Sequence, residues 1–247
     1  DAEGNPISCK KVSKDRWQLN TSQVKEARVR YQVYAAEMNG GSTWLDDEQL
    51  YINFINCTLY PEGRLEETYQ VHLDLPQNYR ITCGMQEVAP HTLEAPSFYH
   101  LVESPLIASA TLTHWTYEVE ACTFHLWFHG QVHLDEKTVL RDFEAFTRNQ
   151  IQTMGDFPCQ DYHFLFQFLP YRAHHGVEHF HSTIIILGPS EEIRHNSKLY
   201  HDFIGVSSHE LFHTWNIIRI RPAEMMPYDY TRENYFVTGY VAEGVTT

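Results

Sequence analysis

The residues best equipped for chemistry lie near the end of the sequence, in His209-Glu210-Leu211-Phe212-His213, continued by Thr214-Trp215-Asn216. Histidines four positions apart share one helix face, so both imidazoles can bind the same metal ion. Between them, Glu210 is angled toward a water held by that ion, the arrangement that zinc hydrolysis requires. An open catalytic site needs a third protein ligand and keeps one position for water. The candidate is Glu243 in Tyr240-Val241-Ala242-Glu243-Gly244, thirty positions beyond His213. One zinc per chain is therefore expected on His209, His213 and Glu243.

A second constellation, Gly176-Val177-Glu178-His179, stands at the start of a strand-like run. An edge strand pairs with a peptide backbone, and a carboxylate at its start can hold the peptide's free ammonium by a charge-assisted hydrogen bond. Gly176, Val177, Glu178 and His179 are thus the expected substrate-binding residues, with Glu178 turning a peptidase into an aminopeptidase. His174, His175, His179 and His181 leave a second metal open, though no partner carboxylates accompany them.

These side chains need elements to position them. A helix from near Lys198 through the motif carries Ile204, Ser208, Leu211, Trp215 and Ile218 on the side opposite His209, His213 and Asn216. Arg219 and Arg221 suit the negative end of its dipole, and Pro222 stops it. Tyr228 to Glu233 reads as a loop, with Thr231 capping a further helix on which Tyr240 and Glu243 share a face. Upstream, Asp135 is a plausible N-cap for a helix through Val139, Leu140, Phe143, Phe146 and Ile151, followed by strands from Tyr162 to Leu169 and from Val177 to Leu187. Helix, strands and motif helix in that order predict an α+β domain.

Before Asp135 the pattern has period two. Val29, Tyr31, Val33 and Ala35 alternate with polar partners, Asn39-Gly40-Gly41-Ser42 punctuates, and Tyr69, Val71, Leu73 and Leu75 alternate again. Phe124, Leu126 and Phe128 extend the alternation, so an all-β sandwich is expected over 1–134 and an α+β domain over 135–247. Residues up to about Val24 read as an extended arm or first strand. The acidic turn Leu45-Asp46-Asp47-Glu48 lacks the spaced oxygens and glycine of a calcium loop.

At 247 residues, 43% hydrophobic, the chain can bury a sizeable core. Its formal charge of -14, with 18 Lys and Arg and no basic run, disfavours nucleic acid and suits a cationic ligand such as a peptide amine. Five scattered cysteines imply neither a disulfide framework nor a thiolate metal site, and no transmembrane run is present. Oligomeric state is not legible.

The run Ser207 to Asn216, the following Arg219-Ile220-Arg221-Pro222, Tyr228 to Tyr235, and the Glu243-Gly244 pair resemble the bacterial glycyl aminopeptidase family, metallopeptidase family sixty-one. Trp44 to Glu48, Ala95-Pro96-Ser97 and Ser104-Pro105 resemble that family's N-terminal β-domain more loosely. The resemblance implies an N-terminal β-sandwich followed by the front half of a thermolysin-like zinc peptidase domain, truncated at its C-terminus. It also implies His209, His213 and Glu243 as zinc ligands, Glu210 as general base, and Glu178 as recogniser of a peptide's free N-terminus, with glycine or alanine first. A bacterial setting, the cell envelope ahead of the cytoplasm, goes with it. His175 stands where such strands carry a small residue. Two rival readings remain: an incomplete module that binds peptide ends without cutting, and a zinc endopeptidase in which Glu178 is structural.

Overall fold

The computed structural model describes residues 1–246. A small hairpin, β1 (Cys9–Lys11) with β2 (Trp17–Leu19), opens the chain. Two sheets follow. One joins β3 (Trp44–Leu45), β4 (Gln49–Ile52), β9 (Leu106–Ser109) and β6 (Arg80–Cys83) in the order β3-β4-β9-β6. The other joins β5 (Tyr69–His72), β8 (Thr92–Ala95) and β7 (Gln86–Ala89) in the order β5-β8-β7. Cys83, Leu106 and Ala108 from the first sheet and Leu93 and Ala95 from the second share one core with Phe98, Leu101 and Val102 of the short helix α1 (Phe98–Val102). Alternation along β9 sends Ile107 to the opposite face, where it meets Tyr51, Leu165, Ile184 and Ile186.

Those last partners belong to a five-stranded sheet of order β10-β11-β12-β14-β13, built from β10 (Thr113–Val119), β11 (Cys122–His129), β12 (Asp161–Phe168), β13 (Ala173–Glu178) and β14 (Ser182–Gly188). β11, β12 and β14 run parallel. Parallel strands covered on both faces lose the polar alternation of a surface sheet, and β14 is buried throughout, its Thr183 to Ile186 stretch supplying β-branched side chains. Phe124, Leu126, Phe128, Phe164, Phe166, Ile185 and Leu187 meet α2 (Glu136–Met154) and α3 (Lys198–Phe212) in the main core. α2 begins where expected, the Asp135 carboxylate accepting from the Thr138 N–H at 2.9 Å.

Several expectations differ from this arrangement. Val29, Tyr31 and Val33 are 54%, 52% and 41% exposed and form no ladder, because alternation makes a strand only where an edge pairs with it. Phe124, Leu126 and Phe128 lie on β11, which pairs with β12 and not with the N-terminal sheets. A division at 134/135 would therefore cut between neighbouring strands of one sheet, and we propose a boundary near residue 110. The run from Val177 to Leu187 is two strands, since His179 to His181 turns the chain and the His179 N–H bonds the Ser182 carbonyl at 2.9 Å. Gly176-Val177-Glu178 thus ends β13 instead of starting a strand. Thr231 caps no helix: its N–H and hydroxyl bond the Asp229 carboxylate in a local turn, and α4 (Gly239–Thr246) starts eight residues later. Among the described residues no helix is long and apolar enough to cross a membrane.

Candidate metal centre

α3 starts at Lys198 because the Ser197 hydroxyl accepts from the Tyr200 N–H at 3.0 Å. Tyr200, Phe203, Ser207 and Leu211 form its buried face, so the seat of the helix lies one position away from the expected Ile204 and Ser208. The helix ends at Phe212, and Trp215 and Ile218 belong to the turns after it. His213 still has helical backbone, its N–H reaching the His209 carbonyl at 3.3 Å, so the two imidazoles keep their four-residue relation. Trp215 anchors the exit, its indole N–H donating to the Asp156 carbonyl at 2.8 Å. Arg219 pairs with Asp156 at 2.7 Å instead of facing the helix end.

His209 Nε2 and His213 Nε2 stand 3.0 Å apart, and Glu243 Oε2 lies 3.4 Å from the first and 3.7 Å from the second. Ligands about 2.0–2.2 Å from a tetrahedral zinc are separated by roughly 3.3–3.5 Å, so this triangle has the right size for one ion. The tautomer fits too. His213 Nδ1 is 2.9 Å from the Asn216 carbonyl, which can only accept, so Nδ1 carries the hydrogen and Nε2 presents its lone pair. The Asn216 side chain donates to the Ala242 carbonyl at 3.0 Å and to the Thr246 hydroxyl at 3.0 Å, tying α4, and with it Glu243, to the residue that orients His213. Burial and then His213 push the His209 pKa down, which favours the neutral, metal-binding form.

Glu210 points away from solvent, 5% exposed. Its Oε2 has no hydrogen-bond partner among the described residues. Glu178, Glu210 and His213 place ligand-type atoms within 4.8 Å of one another, so Glu178 reaches the same centre from the sheet side. Burial, then the charges of Glu178 and Glu243, lift Glu210 to about 8, and burial lifts Glu178 as well. Carboxylates crowded around a buried Glu210 are what a dication resolves, since its charge inverts the local logic. Gly176 makes room for the arrangement: a Cβ there would stand 2.2 Å from Glu210 Oε1.

Val177 and Glu178 line a cleft of about 370 Å³, bounded on one side by Gly41, Asn53, Ile55 and the end of α1 and on the other by the segment after the motif. His179 also lines it, but is buried, with Nδ1 3.6 Å from Glu103 Oε2. His174, His175 and His181 join no metal-ligand group among the described residues, so the second-metal alternative has no geometry behind it. His175 Nδ1 instead accepts from the Gly40 N–H at 3.1 Å.

Sequence reasoning missed Glu103 and a cation–π stack. The Arg221 guanidinium lies 5.3 Å from both the Tyr99 and the Tyr228 ring and donates to the Tyr99 hydroxyl at 2.7 Å, joining α1 to the post-motif segment. No local pattern encodes a contact across 122 residues.

Residues 1–110 match the Peptidase M61 N-terminal domain and residues 202–247 match M61 glycyl aminopeptidase. An aminopeptidase N family protein from Idiomarina loihiensis superposes with a TM-score of 0.86 at 26% identity, over 97% of this chain. The chain spans 42% of that protein's length. An M1 zinc metallopeptidase from Deinococcus radiodurans aligns with a TM-score of 0.46 at 15% identity, over 77% of this chain and 45% of its own. No curated protein matches the chain.

Proposed function

Since the chain belongs to the M61 glycyl aminopeptidase family, carrying its N-terminal domain and part of its peptidase domain, we propose that it is a zinc-dependent aminopeptidase. In this reading His209, His213 and Glu243 hold the metal, Glu210 is the general base, and Glu178 binds the free N-terminus of a peptide. The observation that carries it is the position of Glu178. This carboxylate ends the sheet's edge strand and lies within 4.8 Å of Glu210 and His213, one residue's reach from the chemistry.

Zinc bound there supplies Lewis-acid polarisation of the scissile carbonyl and acidifies a water. Glu210 takes the proton from that water and delivers it to the leaving amine, its burial keeping bulk solvent from competing. β13, with no ladder partner on its outer edge among the described residues, offers backbone groups to the substrate. Glu178 holds the ammonium, and that fixes the first peptide bond, rather than a later one, over the centre. Gly176 lets β13 pass over Glu210, Val177 forms part of the cleft wall, and the His179 N–H fixes the turn after the strand by bonding the Ser182 carbonyl. Glycine and alanine, the first residues implied by the resemblance, enter this cleft without filling it.

The test compares free and N-acetylated aminoacyl substrates on the zinc-loaded protein and on Glu178→Ala. Losing one partner of a desolvated charge pair costs about 2–5 kcal/mol, so either change is expected to lower kcat/KM by roughly 30- to 5,000-fold. The two losses should not add, because the contact can be lost only once. Equal cleavage of free and acetylated substrates would replace this reading with an endopeptidase, and zinc-loaded protein that binds but cuts neither would replace it with a peptide-end binding module.

A further inference from the structure

The centre offers a second set of ligand atoms. Glu178, Glu210 and His213 place one apiece within 4.8 Å of one another, beside the triangle of His209, His213 and Glu243. The two sets share only His213, and its Nδ1 is committed to the Asn216 carbonyl at 2.9 Å. A single lone pair remains, on Nε2, so an ion on the first set leaves the second with Glu178 and Glu210 as its protein ligands. Glu210 is unlike a surface acid. It is buried, its Oε1 abuts Gly176, and its Oε2 has no hydrogen-bond partner among the described residues. A buried carboxylate oxygen in that state is destabilising unless a cation completes it. Charge points the same way. Ionised around one zinc, Glu178, Glu210 and Glu243 carry three negative charges against two positive ones. Glu103 stands on the adjoining cleft, and no lysine or arginine is among the described residues that line it. The excess negative charge suits the ammonium of a peptide, and it suits a second dication equally.

We propose that a second divalent cation binds between Glu178 and Glu210 of the zinc-loaded protein and inhibits it by taking the place of the substrate's ammonium. The inference rests on the reading of Glu178 as the ammonium anchor, and it concerns an ion distinct from the catalytic one. Two carboxylates without an imidazole hold zinc less tightly than His209, His213 and Glu243 together, so the second ion is the one that comes and goes. An ion there engages both carboxylates that the reaction uses. Glu178 can no longer hold the ammonium, and Glu210 can no longer take a proton. Activity then follows the free cation level, high when only the first set is filled and low when both are. A peptide with a free N-terminus displaces the ion, because ion and ammonium need the same carboxylate.

Equilibrium dialysis against buffered free zinc reads the site without turnover. The parent should take up a second equivalent at a free concentration roughly 100-fold or more above the one that fills the first. Glu178→Gln and Glu210→Gln each keep the side chain's shape and remove one charge. Each should bind one equivalent fewer than the parent over the same range, a difference from which zinc held by surface histidines cancels. Gly-Gly at about ten times its own dissociation constant should raise the free zinc needed for the second uptake roughly tenfold and leave the first unchanged. Steady-state rates on glycyl para-nitroanilide should show KM rising with free zinc at constant kcat. Either glutamine variant binding as many ions as the parent, a second uptake indifferent to Gly-Gly, or kcat falling while KM holds would overturn the inference and leave the aminopeptidase reading intact. A first equivalent that survives His209→Ala would instead overturn the metal centre on which that reading stands.

Discussion

Replacing Gly176 with alanine adds one methyl group at the closest approach between the edge strand and the proposed base. The new Cβ would stand 2.2 Å from Glu210 Oε1, 2.7 Å from its Cδ and 2.9 Å from Val206 Cγ2, all inside ordinary contact distance. Gly176 is not among the glycines with positive φ, so alanine meets no backbone penalty and the whole effect comes from the clash. Glu210 is buried and has little room to retreat, so carboxylate, strand and helix must share a displacement of about 1 Å. Misplacing a reacting group by that much costs on the order of 100-fold in rate, and overpacking costs about 1–3 kcal/mol of stability. The assays are zinc stoichiometry, thermal unfolding and steady-state kinetics on the parent, Gly176→Ala, Glu210→Gln and the double variant. Zinc should stay near one per chain, Tm should fall, and kcat should drop with KM little changed. The double variant should be scarcely worse than Glu210→Gln, because the glycine acts through that carboxylate. A Gly176→Ala protein with parental kcat and parental Tm would refute the close approach and the role built on it.

Glu210→Gln alone should keep zinc and lose several orders of magnitude in hydrolysis, and near-normal turnover would make Glu210 structural. Asn216→Ala should weaken zinc binding roughly 10- to 100-fold in chelator competition, because its side chain ties α4 to the His213 loop while its carbonyl remains; unchanged affinity would separate α4 from the centre. A metal chelator should lower Tm and zinc should restore it, by about 2.7 kcal/mol of stability at a free concentration 100 times Kd, and His209→Ala should abolish the response; a parent Tm indifferent to both would count against a metal centre. Burial, followed by the nearby His125, holds His163 down to about 3, whereas an unfolded chain protonates it near 6.5. The folded state then binds fewer protons, so this contribution is fully present above about pH 6.5 and is lost as pH falls toward 3. His163→Gln should flatten that acid limb in urea titrations, and an unchanged slope would assign it to other groups.

What the sequence made legible follows from how far each relation reaches along the chain. His209, Glu210 and His213 are related by a single helical turn, and a turn is fixed by local geometry. Glu243 was legible as a residue type at a suitable distance, but the backbone between Asn216 and Thr238 has no periodicity from which its direction could be read. It is Asn216, through three side-chain contacts across α4, that turns the carboxylate toward the histidines. The β13–β14 reversal was hidden because His179, Phe180 and His181 carry none of the glycine, proline or asparagine that announces a turn. Alternation found β11 but could not assign it, since Phe124, Leu126 and Phe128 would alternate identically in a sandwich and in a parallel sheet. In the parallel sheet the decisive partner is Phe166, stacked 4.8 Å from Phe128 and 38 residues away in sequence.

The same non-local packing explains why an N-terminal β-domain accompanies the peptidase fold. The four-stranded sheet is covered on both faces, by the three-stranded sheet through Leu106 and Ala108 and by the five-stranded sheet through Tyr51 and Ile107. It therefore serves as an inner layer of the molecule and not as an appendage. The turn at Asn39 to Ser42 extends this layer beneath the edge strand: Tyr51 and Asn53 bond the Gly40 carbonyl, the Gly40 N–H bonds His175, and a Cβ on Gly40 would stand 2.7 Å from Val177 Cγ2. An edge strand proposed to pair with a peptide must stay open on one side and firm on every other. Here β14 holds its inner edge and the glycine turn abuts it near Val177 and His175, so the position of Glu178 is inherited from the N-terminal sheets as much as from the peptidase sheet. Arg221 closes the loop of contacts by joining Tyr99 of α1 to the segment that follows the metal motif. The cleft wall, the proposed ammonium anchor and the candidate metal ligands are then set by one packed unit, and a change deep in the cluster of Tyr51, Ile107, Leu165 and Ile184 is expected to reach all three together.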